Sequence, residues 1–94
     1  MDASGDPIPD ETYLVERYWP DVDLVEARAG LVRLEGALSA MTAEGTPVRH
    51  VGSILMPADQ VVFSLFVASD ESLVRRLNER ADLPVDRIAR AIAL

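Results

Sequence analysis

The stretch from Val48 to Asp70, VRHVGSILMPADQVVFSLFVASD, decides the fold. Two runs of apolar, β-branched and aromatic residues flank Pro57, Ala58 and Asp59, a short turn-forming connection. The pattern predicts a hairpin with strands over 48–56 and 60–68. Its one unusual member is His50, the sole histidine of the chain.

Upstream, TYLVERY (Thr12 to Tyr18) has strand composition and stops before Pro20. Asp21 or Asp23 then caps a helix, because a short carboxylate accepts the unpaired amide hydrogens of a first turn. From Leu24 to Ala43 the residues Leu24, Ala27, Leu31, Leu34, Leu38 and Met41 form one helical stripe. Gly30 and Gly36 weaken that helix, and a close approach to the sheet would account for them. Gly45 and Pro47 end it. Downstream, SDES opens a second helix with Leu73, Val74, Leu77 and Ala81 inward, and Pro84 breaks it. IARAIAL supplies a final strand, Ile88 to Leu94.

The order β-α-β-β-α-β predicts an α+β, ferredoxin-like sandwich: a four-stranded antiparallel sheet with two helices on one face. Residues 12–94 form this domain. Residues 1–11, with Gly5, two prolines and four acidic residues, read as a flexible acidic N-terminal arm.

Composition excludes several function classes. The formal charge is −7, and the nine basic residues are all arginine and scattered. Nucleic-acid and anionic-membrane partners need clustered cations and are disfavoured. Without cysteine there are no disulfides, thiolate metal sites or cysteine nucleophiles. No apolar run approaches the ~20 residues of a membrane span, and the acidic start lacks the form of a signal peptide. A cytoplasmic location is the expectation. No glycine-rich phosphate loop and no G-x-S-x-G elbow occurs.

Both faces of the hairpin are apolar. Alternation separates Val61, Phe63, Leu65 and Val67 from Val62, Ser64, Phe66 and Ala68. We assign the first set to the helix face, with Val15, Val51, Leu55, Ala89 and Ala91. The open face then holds Leu14, Glu16, Tyr18, Val48, His50, Ile54, Val62, Ser64, Phe66, Ile88, Arg90 and Ile92. An apolar face of this size calls for a cover, and the simplest is a second copy packed about a two-fold axis. The expectation is a homodimer, a dimeric α/β barrel. On the open face Glu16, His50, Ser64 and Arg90 gather, and buried polar groups need partners. They either line a pocket or reduce to a Glu16–Arg90 ion pair at the sheet edge.

LVER with the following proline, the V-F-x-L-F-x-A-x-D-E passage into the second helix, and A-x-L-P-x-D-R-I before the last strand resemble a family. It is the small actinobacterial nickel-binding-protein family, also described as a domain of unknown function. The resemblance spans about residues 12–92. It implies a dimeric ferredoxin-like fold and, for some members, a bound divalent metal such as nickel. His50 and Glu16 would be the ligands, shared with a second copy. Where the family passage often has cysteine, this chain has Ser64.

Three functions compete. The first is a dimeric binding protein holding a metal or small ligand through Glu16, Tyr18, His50, Ser64 and Arg90. The second is a cofactor-free enzyme of the dimeric-barrel type, a cyclase, isomerase or monooxygenase acting on a small aromatic or polyketide-like substrate. His50 would be its general base and Arg90 would stabilise an enolate or phenolate. Tyr18 and Trp19 would flank the substrate. The third is an interaction module without a small ligand.

Overall fold

The computed structural model describes residues 9–94. Strand β1 (Glu11–Tyr18) leads into helix α1 (Leu24–Ala43), strands β2 (Arg49–Met56) and β3 (Val61–Ala68), helix α2 (Glu71–Arg80) and strand β4 (Arg87–Ala91). The sheet is antiparallel in the order β2-β3-β1-β4, with both helices packed on it, the ferredoxin-like arrangement expected. Asp23 is the cap of α1, its Oδ1 accepting from the Glu26 amide at 2.8 Å. Gly45 takes a left-handed φ of +82° just beyond α1, where an L side chain would be strained. Pro57–Asp59 closes the hairpin as one 3-10 turn. The last strand stops at Ala91, before the Leu94 expected from sequence. Glu11, assigned to the arm, already pairs with Ala68 in β1, and residues 1–8 lie outside the described residues.

The core lies between sheet and helices. Tyr13 and Val15 of β1, Phe66 and Ala68 of β3, Leu34 and Met41 of α1, and Val74 and Leu77 of α2 are all buried there. Arg33, off the predicted stripe of α1, donates from Nε to the Ala81 carbonyl at 2.9 Å. It satisfies a carbonyl that the end of α2 would otherwise leave unpaired. Gly30 is buried where α1 crosses Trp19 and Leu83, and an added Cβ would stand 3.0 Å from each of those side chains. Gly36 faces open space and has no packing reason.

The face assignment read from sequence is reversed for β3. Val62, Ser64, Phe66 and Ala68 are the buried row, and Val61, Phe63, Leu65 and Val67 face outward. Pairing decides this, since Val15 stands opposite Ser64 and opposed residues share a face. Composition gave no phase because both rows are apolar. Ile88, opposite Val15, is likewise turned toward the helices, and Ala89, opposite Leu14, is turned away. In β2 the register shifts between His50 and Gly52, leaving Val51 as the extra residue of a bulge. The bulge breaks the parity that sequence alternation assumes. His50 pairs with Phe66 on the helix side, as Ser53 does with Ser64, while Ile54 pairs with Phe63 on the outer side. Val48 also belongs to the core rather than to the open face.

Candidate functional site: a buried arginine and a cavity beneath the first helix

Arg17 is the polar end of an otherwise apolar row. It follows Tyr13 and Val15 along the inner face of β1 and is 1% exposed. Its Nη1 donates to Asn78 Oδ1 at 2.6 Å and to the Pro84 carbonyl at 3.2 Å. Its Nη2 donates to Ser64 Oγ at 3.1 Å. Asn78 is oriented for this by its own Nδ2, which donates to the Val74 carbonyl at 2.7 Å and turns Oδ1 toward the guanidinium. Among the described residues no carboxylate forms an ion pair with Arg17. All three partners are neutral. Burial lowers the guanidinium to about 10, so it remains a cation at neutral pH.

A chain of hydroxyls runs from this cation to His50. Ser64 Oγ lies 2.6 Å from Ser53 Oγ, and Ser53 Oγ lies 2.8 Å from His50 Nε2. Arg17 only donates, so Ser64 accepts from it and turns its own proton toward Ser53. Ser53 in turn donates to Nε2, which places a neutral His50 at the end of the chain as acceptor. Burial is the largest cause holding the His50 pKa below its ordinary value, and the Arg17 charge acts in the same direction. A hydrogen bond with the Gly52 backbone and the more distant Glu35 charge act against it. The His50 ring also packs on Phe66, with centroids 5.2 Å apart.

Arg17, Ser53 and Ser64 form the polar wall of a cavity of about 220 Å³ between α1 and the sheet. Trp19, Leu31, Leu55, Val62 and Leu83 supply its apolar walls, and Arg28 stands at its rim. Trp19 is fixed over it by its amide, which donates to the Gln60 carbonyl at 2.8 Å.

The residues proposed from sequence divide between two faces. His50 and Ser64 belong to this inner network. Glu16 is on the outer face opposite Phe63 and Arg87, with its Oε1 3.9 Å from the Arg87 guanidinium. Tyr18 also faces outward and is half exposed. Within one chain, then, Glu16 and His50 stand on opposite sides of the sheet and cannot hold the same ion. Among the described residues no three His, Asp or Glu side chains cluster as a metal centre would need. Arg90 sits on the edge strand β4 and pairs with Glu11 at 2.9 Å, not with Glu16. Three strand spacings of about 4.8 Å separate β4 from β2, too far for Arg90 to act beside His50.

Arg17, Ser53 and Asn78 were missed by sequence reasoning. A signal for Arg17 was present, since Val15 was assigned inward and the residue two positions on shares its face. The same signal was present for Ser53, which alternates with Leu55, also assigned inward; the bulge hid only its meeting with His50, and Asn78 was hidden by its place at the edge of an apolar helical stripe.

The fold and site define a small ferredoxin-like α+β protein with a cation-walled apolar cavity under its first helix. Among solved structures, the chain is similar to the crystal structure of SCO4226 from Streptomyces coelicolor A3(2). The match has a TM-score of 0.67 at 18% identity and covers 88% of this chain and 98% of the other. At that identity the likeness establishes the fold. The neighbour is actinobacterial, as is the family resembled in sequence. No family model matches the chain, so the nickel-binding family itself is not shown, and no curated protein matches it either. No described helix is long and apolar enough to cross a membrane.

Proposed function

We propose that this is a small-molecule-binding protein whose ligand occupies the cavity between α1 and the sheet. One observation carries the reading: a fully buried arginine, paired among the described residues with neutral groups, lines a mainly apolar cavity. An apolar cavity of ~150 Å³ holds a benzene ring. About 220 Å³ therefore holds a ring with a short substituent. The sole tryptophan, Trp19, lines it and reports on its contents. Titration with phenylacetamide should change Trp19 fluorescence saturably, and Ala27→Phe, which fills the cavity from α1, should abolish the change. An equal response in the Ala27→Phe variant, or no response of the wild type to either phenylacetamide or its acid, phenylacetate, refutes the reading.

The protein acts, on this proposal, as a homodimer through the outer face of the sheet. Leu14, Phe63 and Leu65 line an outer groove of about 200 Å³ there, and Ile54 beside them is 64% exposed. Such a patch is costly in water, at about 25 cal/mol per Å². Sedimentation should show two copies for the wild type and one for Phe63→Glu. A wild type that sediments as a monomer at micromolar concentration contradicts it.

A catalytic reading is favoured by one contact, the 2.8 Å approach of His50 Nε2 to Ser53 Oγ at the cavity wall. His50 does not itself line the cavity, so a neutral imidazole would act as base through the Ser53 hydroxyl. Turnover of a bound phenol or enol that is lost in His50→Gln, with binding retained, distinguishes an enzyme from a binder.

A further inference from the structure

We infer that the ligand of this cavity is a monocarboxylate carried on an apolar, ring-sized body. The inference rests on the binding reading above and specifies its ligand class. A guanidinium has five N–H donors in a planar fork. Three hydrogen bonds are made by Arg17 among the described residues, to Asn78, Pro84 and Ser64. Two donors remain for a guest. None of the three acceptors carries charge, so among the described residues the cation lies buried without a counter-ion. Removing a charge from water is costly, and an anion brought beside it recovers part of that cost.

The surroundings select the kind of anion. Among the described residues two hydroxyls, Ser53 and Ser64, accompany Arg17 on the inner polar wall, Arg28 stands apart at the rim, and the remaining lining is Trp19, Gly30 and aliphatic side chains. A phosphate or sulfate dianion needs more donors than this wall offers. A carboxylate needs two to four, and it matches the guanidinium fork in two parallel hydrogen bonds. The ring then lies against Trp19, Leu31 and Leu55. Arg28, exposed at the rim, adds a second positive charge along the path of entry.

The test compares phenylacetate with its neutral analogue phenylacetamide by Trp19 fluorescence at pH 7.5. The two differ in charge and hardly in shape. Phenylacetate should bind at least tenfold more tightly, and the preference should vanish in Arg17→Met. Because that variant removes three hydrogen bonds, Arg17→Met/Asn78→Leu is measured beside it as a better-packed background lacking the same charge. Equal binding of both compounds, or tighter binding of the amide, overturns the carboxylate inference and leaves the cavity reading intact. Failure of both compounds to bind overturns the two together. A preference for phenylacetate that survives in both variants also overturns the inference, since the charge would then act elsewhere.

Discussion

Removing Arg17 should cost more than removing it together with its partner. In Arg17→Met the alkyl stem is replaced at similar volume, and the guanidinium is lost. Three acceptors then lose a donor: Asn78 Oδ1, the Pro84 carbonyl and Ser64 Oγ. Hydrogen bonds to a charged group contribute about 1.5–3 kcal/mol each, and a buried acceptor left unpaired costs about 1–3 kcal/mol. Against this stands the desolvation cost of the cation, which the substitution relieves and which already lowers its pKa to about 10. Ser64 keeps Ser53 at 2.6 Å and loses least. The net expectation is a destabilisation of about 2–4 kcal/mol, dominated by Asn78. In Arg17→Met/Asn78→Leu the orphaned amide is gone as well, and replacing both partners by apolar groups is nearly neutral. The double variant should recover at least half of the loss, a coupling of about 1–2 kcal/mol. Urea denaturation followed by far-ultraviolet circular dichroism measures all four corners of the cycle. A single variant as stable as the wild type, or additive effects of the two changes, would refute the claim that Arg17 and Asn78 form one buried unit.

Two other outcomes follow from single residues. His50 is held below its ordinary pKa of 6.5 by burial, with Arg17 adding to the shift and Glu35 opposing it. In the unfolded chain His50 takes up a proton at higher pH than in the folded one, so stability is fully present above 6.5 and falls as pH drops through that value toward the folded pKa. The urea midpoint should decrease from pH 7.5 to pH 5.5, and His50→Gln should flatten that decrease; an unchanged slope contradicts the assignment. The two glycines of α1 should respond oppositely to alanine. Gly36→Ala should stabilise by about 1 kcal/mol, because its Cβ meets nothing. Gly30→Ala should lose that gain to Trp19 and Leu83, each 3.0 Å from the new methyl. Thermal melts that rank Gly30→Ala above Gly36→Ala would contradict the packing described.

The element order was legible because each boundary carries its own signal. Asp23 caps α1, Gly45 and Pro47 end it, and Pro57–Asp59 turn the hairpin. The face of each strand was not legible, because β3 is apolar on both rows and periodicity alone then has no phase. Ser64, the one polar residue of β3, faces inward to accept from Arg17. The bulge at Val51 compounded the error by moving His50 to the face opposite Ile54. The network of Arg17, Ser64, Ser53 and His50 joins three strands, and its contacts span 47 residues between Arg17 and Ser64. Only pairing register brings such residues together, and register is a property of the folded sheet.

The proposed ligand lies beneath α1 and not on the outer face of the sheet. Intermolecular nuclear Overhauser effects between the ring protons of phenylacetate and assigned methyl groups test this placement directly. Contacts to Leu31, Leu55 and Val62 in the cavity are expected. Contacts instead to Leu14, Ile54 and Leu65, which line the groove on the opposite face, would contradict it.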